Sequence, residues 1–114
     1  EALQGFHSEN MLIIVDEASG VPDVVFQVGG GAMSTKGAKT VLTGNPTRAE
    51  GFFYDAFHGN REQFHCLTVS CEDADTVDEK FVEDMAAKYG VESNVYRVRV
   101  LGEFPRSTQA RCDV

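Results

Sequence analysis

The run Leu12-Ile13-Ile14-Val15-Asp16-Glu17 constrains this chain more than any other stretch, because four consecutive apolar residues deliver two adjacent carboxylates. A strand inside a parallel sheet reads this way when helices cover both of the sheet's faces. The acids then emerge at the strand's carboxyl end, where open α/β sheets bind their ligands. A first carboxylate there can hold Mg²⁺, usually through water, and a second can polarise a water that attacks a γ-phosphate. Asp16 and Glu17 suit those roles in that order. Hydrophobic runs also end in Asp-Glu by chance, so the second apolar run of the chain carries part of the weight.

That second run, Thr40-Val41-Leu42-Thr43-Gly44-Asn45-Pro46-Thr47, again ends in small polar residues. In motor ATPases a second strand of this kind lies beside the first, and its terminal Thr or Asn reaches the γ-phosphate or the attacking water. A side-chain amide suits that task because it donates to a phosphoryl oxygen and accepts from water in one geometry. Asn45 is the candidate sensor, with Thr43 in support. Taken by itself, Gly-Asn-Pro is ordinary turn chemistry. Its position after an acidic-pair strand and a helix-like segment favours the sensor.

Several stretches together resemble the large subunit of tailed-phage terminases: Ala2 to His7 (ALQGFH), Met11 to Gly20 (MLIIVDEASG), Leu42 to Arg48 (LTGNPTR), Gly51 to Tyr54 (GFFY) and Val95 to Pro105 (VYRVRVLGEFP). The resemblance covers nearly the whole chain to Pro105. It implies a partial P-loop NTPase of the ASCE type, with residues 1–105 forming part of the ATPase domain and residues 106–114 a tail or linker. In the parent protein it implies ATP hydrolysis coupled to translocation of double-stranded DNA into a procapsid, with nuclease activity in a separate domain. It further implies Mg²⁺ and ATP as cofactors, and DNA, a small terminase subunit and the portal as partners. Residue by residue, it makes Asp16 the Walker B magnesium ligand, Glu17 the catalytic carboxylate and Thr43-Gly44-Asn45 the coupling motif. A DExx-box helicase or translocase shares these strands, but basic nucleic-acid motifs are not found here. The alternative from another class is a prophage-remnant α/β interaction domain without catalysis.

A phosphate-binding loop, G-x-x-x-x-G-K-[ST], is not present. Gly31 to Thr40 (GAMSTKGAKT) imitates one, but Ala38 separates Gly37 from Lys39 and the segment leads into a strand. A P-loop must open a helix whose N-terminus faces the phosphates. Gly29 to Gly37 reads instead as a mobile helix-to-strand connection. Without the lysine and backbone cradle the isolated chain is expected to be catalytically inactive, with no tightly bound nucleotide or metal. Arg48, near the sensor turn, is a weak candidate for an arginine finger, since a charged residue opening a surface helix is more often simply solvated.

At 114 residues the chain is expected to form one domain with its own core, excised from or left over from a larger protein. No signal-like or membrane-spanning run is seen, so a cytoplasmic setting in a bacterial host is expected. The net charge of −8 argues against strong DNA binding by this piece alone, because such affinity rests on Lys and Arg neutralising phosphates. Cys66, Cys71 and Cys112 have no metal spacing and suit a reducing compartment. His7, His58 and His65 are scattered, and metal binding by them is not expected.

Patterning predicts a mainly parallel sheet of about three strands with flanking helices. The strands fall at about 11–15, 40–43 and 64–69. One helix spans 22–33 with Val24, Val25, Val28 and Met33 on its apolar face. A second begins at Thr47 as N-cap and carries Phe52, Phe53, Ala56 and Phe57 into the core. A third spans 77–89 and is closed by Gly90 as a left-handed cap. Residues 92–101 alternate in a way that does not decide between helix and strand; the resemblance favours helix. Asp16-Glu17, Thr43-Asn45 and Ser70-Glu72 should then meet along one edge, although the seven acids from Glu72 to Asp84 read more readily as a solvated face. An open sheet edge predicts self-association, most simply as a dimer.

Overall fold

A computed structural model describes residues 10–106. The stretch Ala2–His7, Cys112 and the tail beyond Arg106 fall outside those residues, so the expectations placed on them do too. The chain runs β1 (Leu12–Val15), α1 (Asp23–Met33), β2 (Lys39–Leu42), α2 (Phe52–Phe57), α3 (Glu79–Tyr89) and α4 (Asn94–Tyr96), which continues as a π-helical turn over Arg97–Leu101. Short 3₁₀ turns at Ala18–Gly20 and Arg61–Gln63 link these elements. Among the described residues no helix is long and apolar enough to cross a membrane.

The β1–α1–β2 unit forms as the hydrophobic pattern requires. β1 and β2 are parallel, with Ile13 opposite Thr40 and Val15 opposite Leu42. Side chains alternate across a strand, so Ile13 and Val15 turn inward while Leu12 and Ile14 turn out. Val15 and Leu42 pack against a core of Ala18, Phe26, Phe53 and Phe104. The outward side is bare, with Leu12 58% and Ile14 63% exposed and Val41 exposed beside them. The expectation that helices cover both faces of β1 is thus corrected. Among the described residues a covering layer exists on one side alone.

α1 also departs from its expected face. Its buried positions are Phe26, Gly29 and Ala32, one stripe at helical spacing, whereas Val24 and Val25 are exposed. Of the glycines read as a connection, Gly29, Gly30 and Gly31 lie inside the helix and Gly37 lies in the turn before β2; Ser34 and Thr35 close the helix by donating their hydroxyls to the Gly31 carbonyl. Two facts made the glycines misleading: the run lacks side chains to show a period, and Gly29 is itself at the packed face.

Three further expectations are corrected. Residues 64–69 are not a strand: among the described residues the sheet has two strands, and none of the backbone amides of residues 65–69 donates to another backbone group. A strand exists by pairing, and this apolar run has no neighbouring strand among the described residues. α2 begins at Phe52 behind Gly51, not at Thr47, because the Thr47 hydroxyl is used elsewhere, on Ser19. Gly90 does take a positive φ, 86°, but its ψ of 142° lies outside the left-handed helical region. The core role of α2 does hold, with Phe53 and Ala56 buried and Phe52 and Phe57 packed on them.

The C-terminal part closes onto this core and builds a second cluster from Met85, Tyr96 and Val100. Asp78 caps α3 by accepting from the Lys80 amide, and Ser93 caps α4 by accepting from the Tyr96 amide. Residues 94–101 are helical despite their β-branched alternation, because Tyr96, Val98 and Val100 are buried, and Tyr96 and Val100 pack against Met85 of α3. The Tyr96 hydroxyl donates to Glu72 at 2.7 Å, and that bond, with burial and the nearby carboxylate charge, holds the phenol above its usual range. After the turn, Gly102 adopts φ 70°, ψ 30°, and Phe104 swings back into the first core. Arg97 clamps this return by donating Nε to the Phe104 carbonyl at 2.6 Å and pairing with Glu103 at 3.1 Å.

Two glycine substitutions should separate these roles. At Gly31 a Cβ would meet nothing, so Gly31→Ala should stabilise by roughly 0.5–1 kcal/mol. At Gly102 a Cβ would lie 2.8 Å from the Val69 carbonyl oxygen on a left-handed backbone, so Gly102→Ala should destabilise by about 2 kcal/mol or more. Denaturant titration of both variants checks the pair.

Candidate functional site

The carboxyl ends of β1 and β2 are joined by three bonds to one residue. The Thr43 amide donates to the Val15 carbonyl at 3.0 Å, its carbonyl accepts from the Ala18 amide at 2.8 Å, and its hydroxyl donates to Asp16 Oδ1 at 2.9 Å. The Glu17 amide donates to the same Asp16 oxygen at 2.9 Å. One carboxylate oxygen is therefore fixed by two donors, and no protein donor holds the other among the described residues. The strand register dictates this, because Val15 opposite Leu42 leaves Asp16 opposite Thr43.

Glu17 is the one non-glycine residue with positive φ among those described, at φ 53° and ψ 45°. For an L-residue that conformation costs about 1–2 kcal/mol, and it persists only where the surroundings enforce it. The enforcement is local. The Gly20 amide donates back to the Glu17 carbonyl, the Ala18 amide is held by Thr43, and Gly44 packs flat against the Glu17 backbone. A Cβ at Gly44 would stand 3.1 Å from both Glu17 Cα and Ala18 N. Both Asp16 and Glu17 are exposed, so the two carboxylates face solvent at the strand end.

Of the expected coupling residues, Thr43 touches Asp16 directly and Gly44 supports Glu17 through its backbone. Asn45 is exposed; its carbonyl accepts from the Thr47 amide at 2.9 Å, and its side chain has no protein partner among the described residues. Arg48 is also exposed, with its guanidinium 3.1 Å from Glu50. Ser70–Glu72 do not join the group. Ser70 donates its hydroxyl to the Val100 carbonyl and Glu72 accepts from Tyr96, which places both with the C-terminal helix. The absence of a third strand among the described residues explains the miss, since no ladder carries that segment's end to the edge.

Two residues escaped the sequence reading. Ser19 is buried and its Oγ accepts from both the Thr47 hydroxyl and the Arg48 amide, each at 3.1 Å, fixing the loop after β2. Asp23 accepts from the Phe52 amide at 3.1 Å, so the first residue of α1 anchors the start of α2. The only sequence signal was a pair of small polar groups after the carboxylates, which reads equally as a helix start. Among the described residues no group of three His, Cys, Asp or Glu side chains is arranged to hold a metal. The Cys66 thiol donates to the Ala56 carbonyl, in keeping with a packing role.

The two enforced positions respond in opposite directions. Glu17→Gly should leave stability unchanged or raise it by about 1 kcal/mol, because it releases the left-handed strain. Gly44→Ala should lower it by about 1–3 kcal/mol by forcing the strand ends apart. Thermal or denaturant unfolding of the two variants, measured side by side, checks this.

Comparison with known proteins adds independent information. The chain is 41% identical over 115 residues to a probable terminase large subunit of Enterobacteria phage P7. That similarity covers 94% of this chain and 23% of the relative, so the chain spans about a quarter of the relative's length. No family model matches the sequence, and no solved structure matches the fold. The aligned region takes in the carboxylate strand, the threonine turn and the clamp around Phe104 alike, and at this identity over almost its whole length the chain belongs to the phage terminase large-subunit family.

Proposed function

We propose that this chain carries the water-activating part of an ATP-hydrolysing site that drives double-stranded DNA into a phage procapsid. The observation that supports the reading is the fixed Asp16 carboxylate, bonded by Thr43 and the Glu17 amide, with Glu17 beside it at the strand end. Asp16 suits Mg²⁺, which takes one or two carboxylates and keeps water and phosphate oxygens for its remaining positions. The ion, when bound, supplies charge that the β- and γ-phosphate oxygens need. Glu17 accepts a proton from the attacking water, and its enforced backbone removes the reorientation that a free side chain would need.

Thr43, Gly44 and Asn45 couple this chemistry to motion. A change in the charge near Asp16 alters the Thr43 hydroxyl bond, and Thr43 is followed directly by the loop that Ser19 holds. Asn45, exposed and without a protein partner for its amide among the described residues, is the group free to meet a γ-phosphate. Arg48 would have to leave Glu50 to serve as a finger. Residues 1–105 act as part of the ATPase domain, with nuclease activity, the small subunit and the portal engaged elsewhere in the protein, in the host cytoplasm.

A chimera tests the reading. The matched quarter of the phage relative is replaced by this chain, and ATP turnover is measured with Mg²⁺. Turnover should persist, and Asp16→Asn and Glu17→Gln should each lower it by about 100-fold or more. The Glu17→Gln chimera should still bind nucleotide. Undiminished turnover in that variant would remove Glu17 from the chemistry.

The bare outer face of the sheet supports a second property, self-association of the isolated chain as a dimer through Leu12, Ile14 and Val41. Light scattering at high concentration should give twice the chain mass, and Ile14→Lys should return it to the monomer. A monomer under all conditions would discard the dimer.

A further inference from the structure

The loop after β2 is pinned to the carboxylate turn at two separate points. At the near end the Thr43 carbonyl accepts from the Ala18 amide at 2.8 Å. At the far end Ser19 Oγ accepts from the Thr47 hydroxyl and from the Arg48 amide, each at 3.1 Å. Ala18 and Ser19 are neighbours in one 3₁₀ turn and both are buried, so the two pins share a single mount. Between the pins stand Gly44, Asn45 and Pro46. Pro46 is buried and the Thr47 amide donates to the Asn45 carbonyl at 2.9 Å, which folds the arc tightly while Asn45 itself stays exposed. With 7% of its surface exposed, Ser19 is placed to hold this arc and not to meet a ligand.

Given hydrolysis at Asp16 and Glu17, as proposed above, we propose that Ser19 is a positioning residue of the reaction: its hydroxyl is the far pin that holds Asn45 at the carboxylate edge. A serine oxygen accepts two donors on a small side chain, and a methyl in its place leaves the Thr47 hydroxyl and the Arg48 amide without that acceptor. The arc is then held by Thr43 alone, and the Asn45 amide samples positions away from the γ-phosphate. Glu17 directly precedes Ala18, so one turn sets the spacing between the carboxylate that polarises water and the amide that meets the phosphate. Groups fixed in place before reaction need no reorganisation as charge develops, so loss of the pin falls on turnover and not on nucleotide binding.

The test has a structural arm and a kinetic arm. In the 114-residue chain, amide exchange followed by NMR should show the Arg48 amide protected, and Ser19→Ala should remove that protection while the Ala18 and Thr43 amides keep theirs. In the chimera with the phage relative, Ser19→Ala should lower kcat for ATP about tenfold or more with KM unchanged. The same substitution made together with Asn45→Ala should change kcat little further, because the residue that it positions is gone; a serine that only stabilises the fold would lower turnover equally in both backgrounds. Thr47→Val, at an exposed position, removes one of the two donors and should give a smaller loss that also vanishes with Asn45→Ala, so the test stands even if Ser19→Ala does not fold. A freely exchanging Arg48 amide in the unaltered chain, full turnover in both Ser19→Ala and Thr47→Val, or equal losses with and without Asn45 would overturn the proposal. Loss of turnover in Glu17→Gln with none in Ser19→Ala strikes the role of Ser19 alone, whereas undiminished turnover in Glu17→Gln strikes the hydrolytic reading on which it rests.

Discussion

Thr43 is the residue on which the candidate site depends. Its amide extends the β1–β2 ladder by one step, its carbonyl captures the Ala18 amide beyond the carboxylates, and its hydroxyl fixes Asp16. With those bonds in place, the backbone between Val15 and Ala18 must fit two residues, Asp16 and Glu17, into a short arc. Glu17 takes the left-handed conformation that closes it, and the flat surface of Gly44 leaves room for the arc. Local strain at Glu17 is thus maintained by the strand pairing around it, a familiar way for a structure to hold a side chain where an unstrained turn would not.

The loop after β2 inherits its order from the same place. Ser19 takes two donors from Thr47 and Arg48, and Asp23 takes one from Phe52. Each of these hydrogen-bond anchors lies within eight residues of the carboxylates in sequence. Short polar contacts at Thr43, Ser19 and Asp23 tie the carboxylate turn to this loop and to the start of α2, and α2 carries Phe53 into the core that Phe104 closes. The C-terminal run is explained physically by this closure: Gly102 for its left-handed turn beside Val69, Arg97 for its clamp, and Phe104 for the core.

Much of this was legible in the sequence. The apolar run ending in Asp-Glu located β1 and both carboxylates, and the second run located β2 and Thr43 beside them. What pattern could not supply was pairing. Phe64 to Val69 has the composition of a strand, yet becomes one only with a neighbour, and none is present among the described residues. Burial on one face also escaped notice, because a continuous apolar run looks the same whether one or both sides of the sheet are covered. Ser19 and the Glu17 backbone were beyond reach for a different reason: a hydrogen bond across 28 residues and a positive φ at a glutamate leave no local signature.

The most direct measurement is native-state amide exchange at Ala18 and Thr43. If the strand ends are joined as described, both amides exchange slowly, with protection matching that of the β1–β2 ladder, and both lose it together in Gly44→Ala. Rapid exchange at Ala18 in the unaltered chain, with Thr43 still protected, would contradict the claim that pairing beyond Val15 holds Glu17 and its neighbour Asp16 in place.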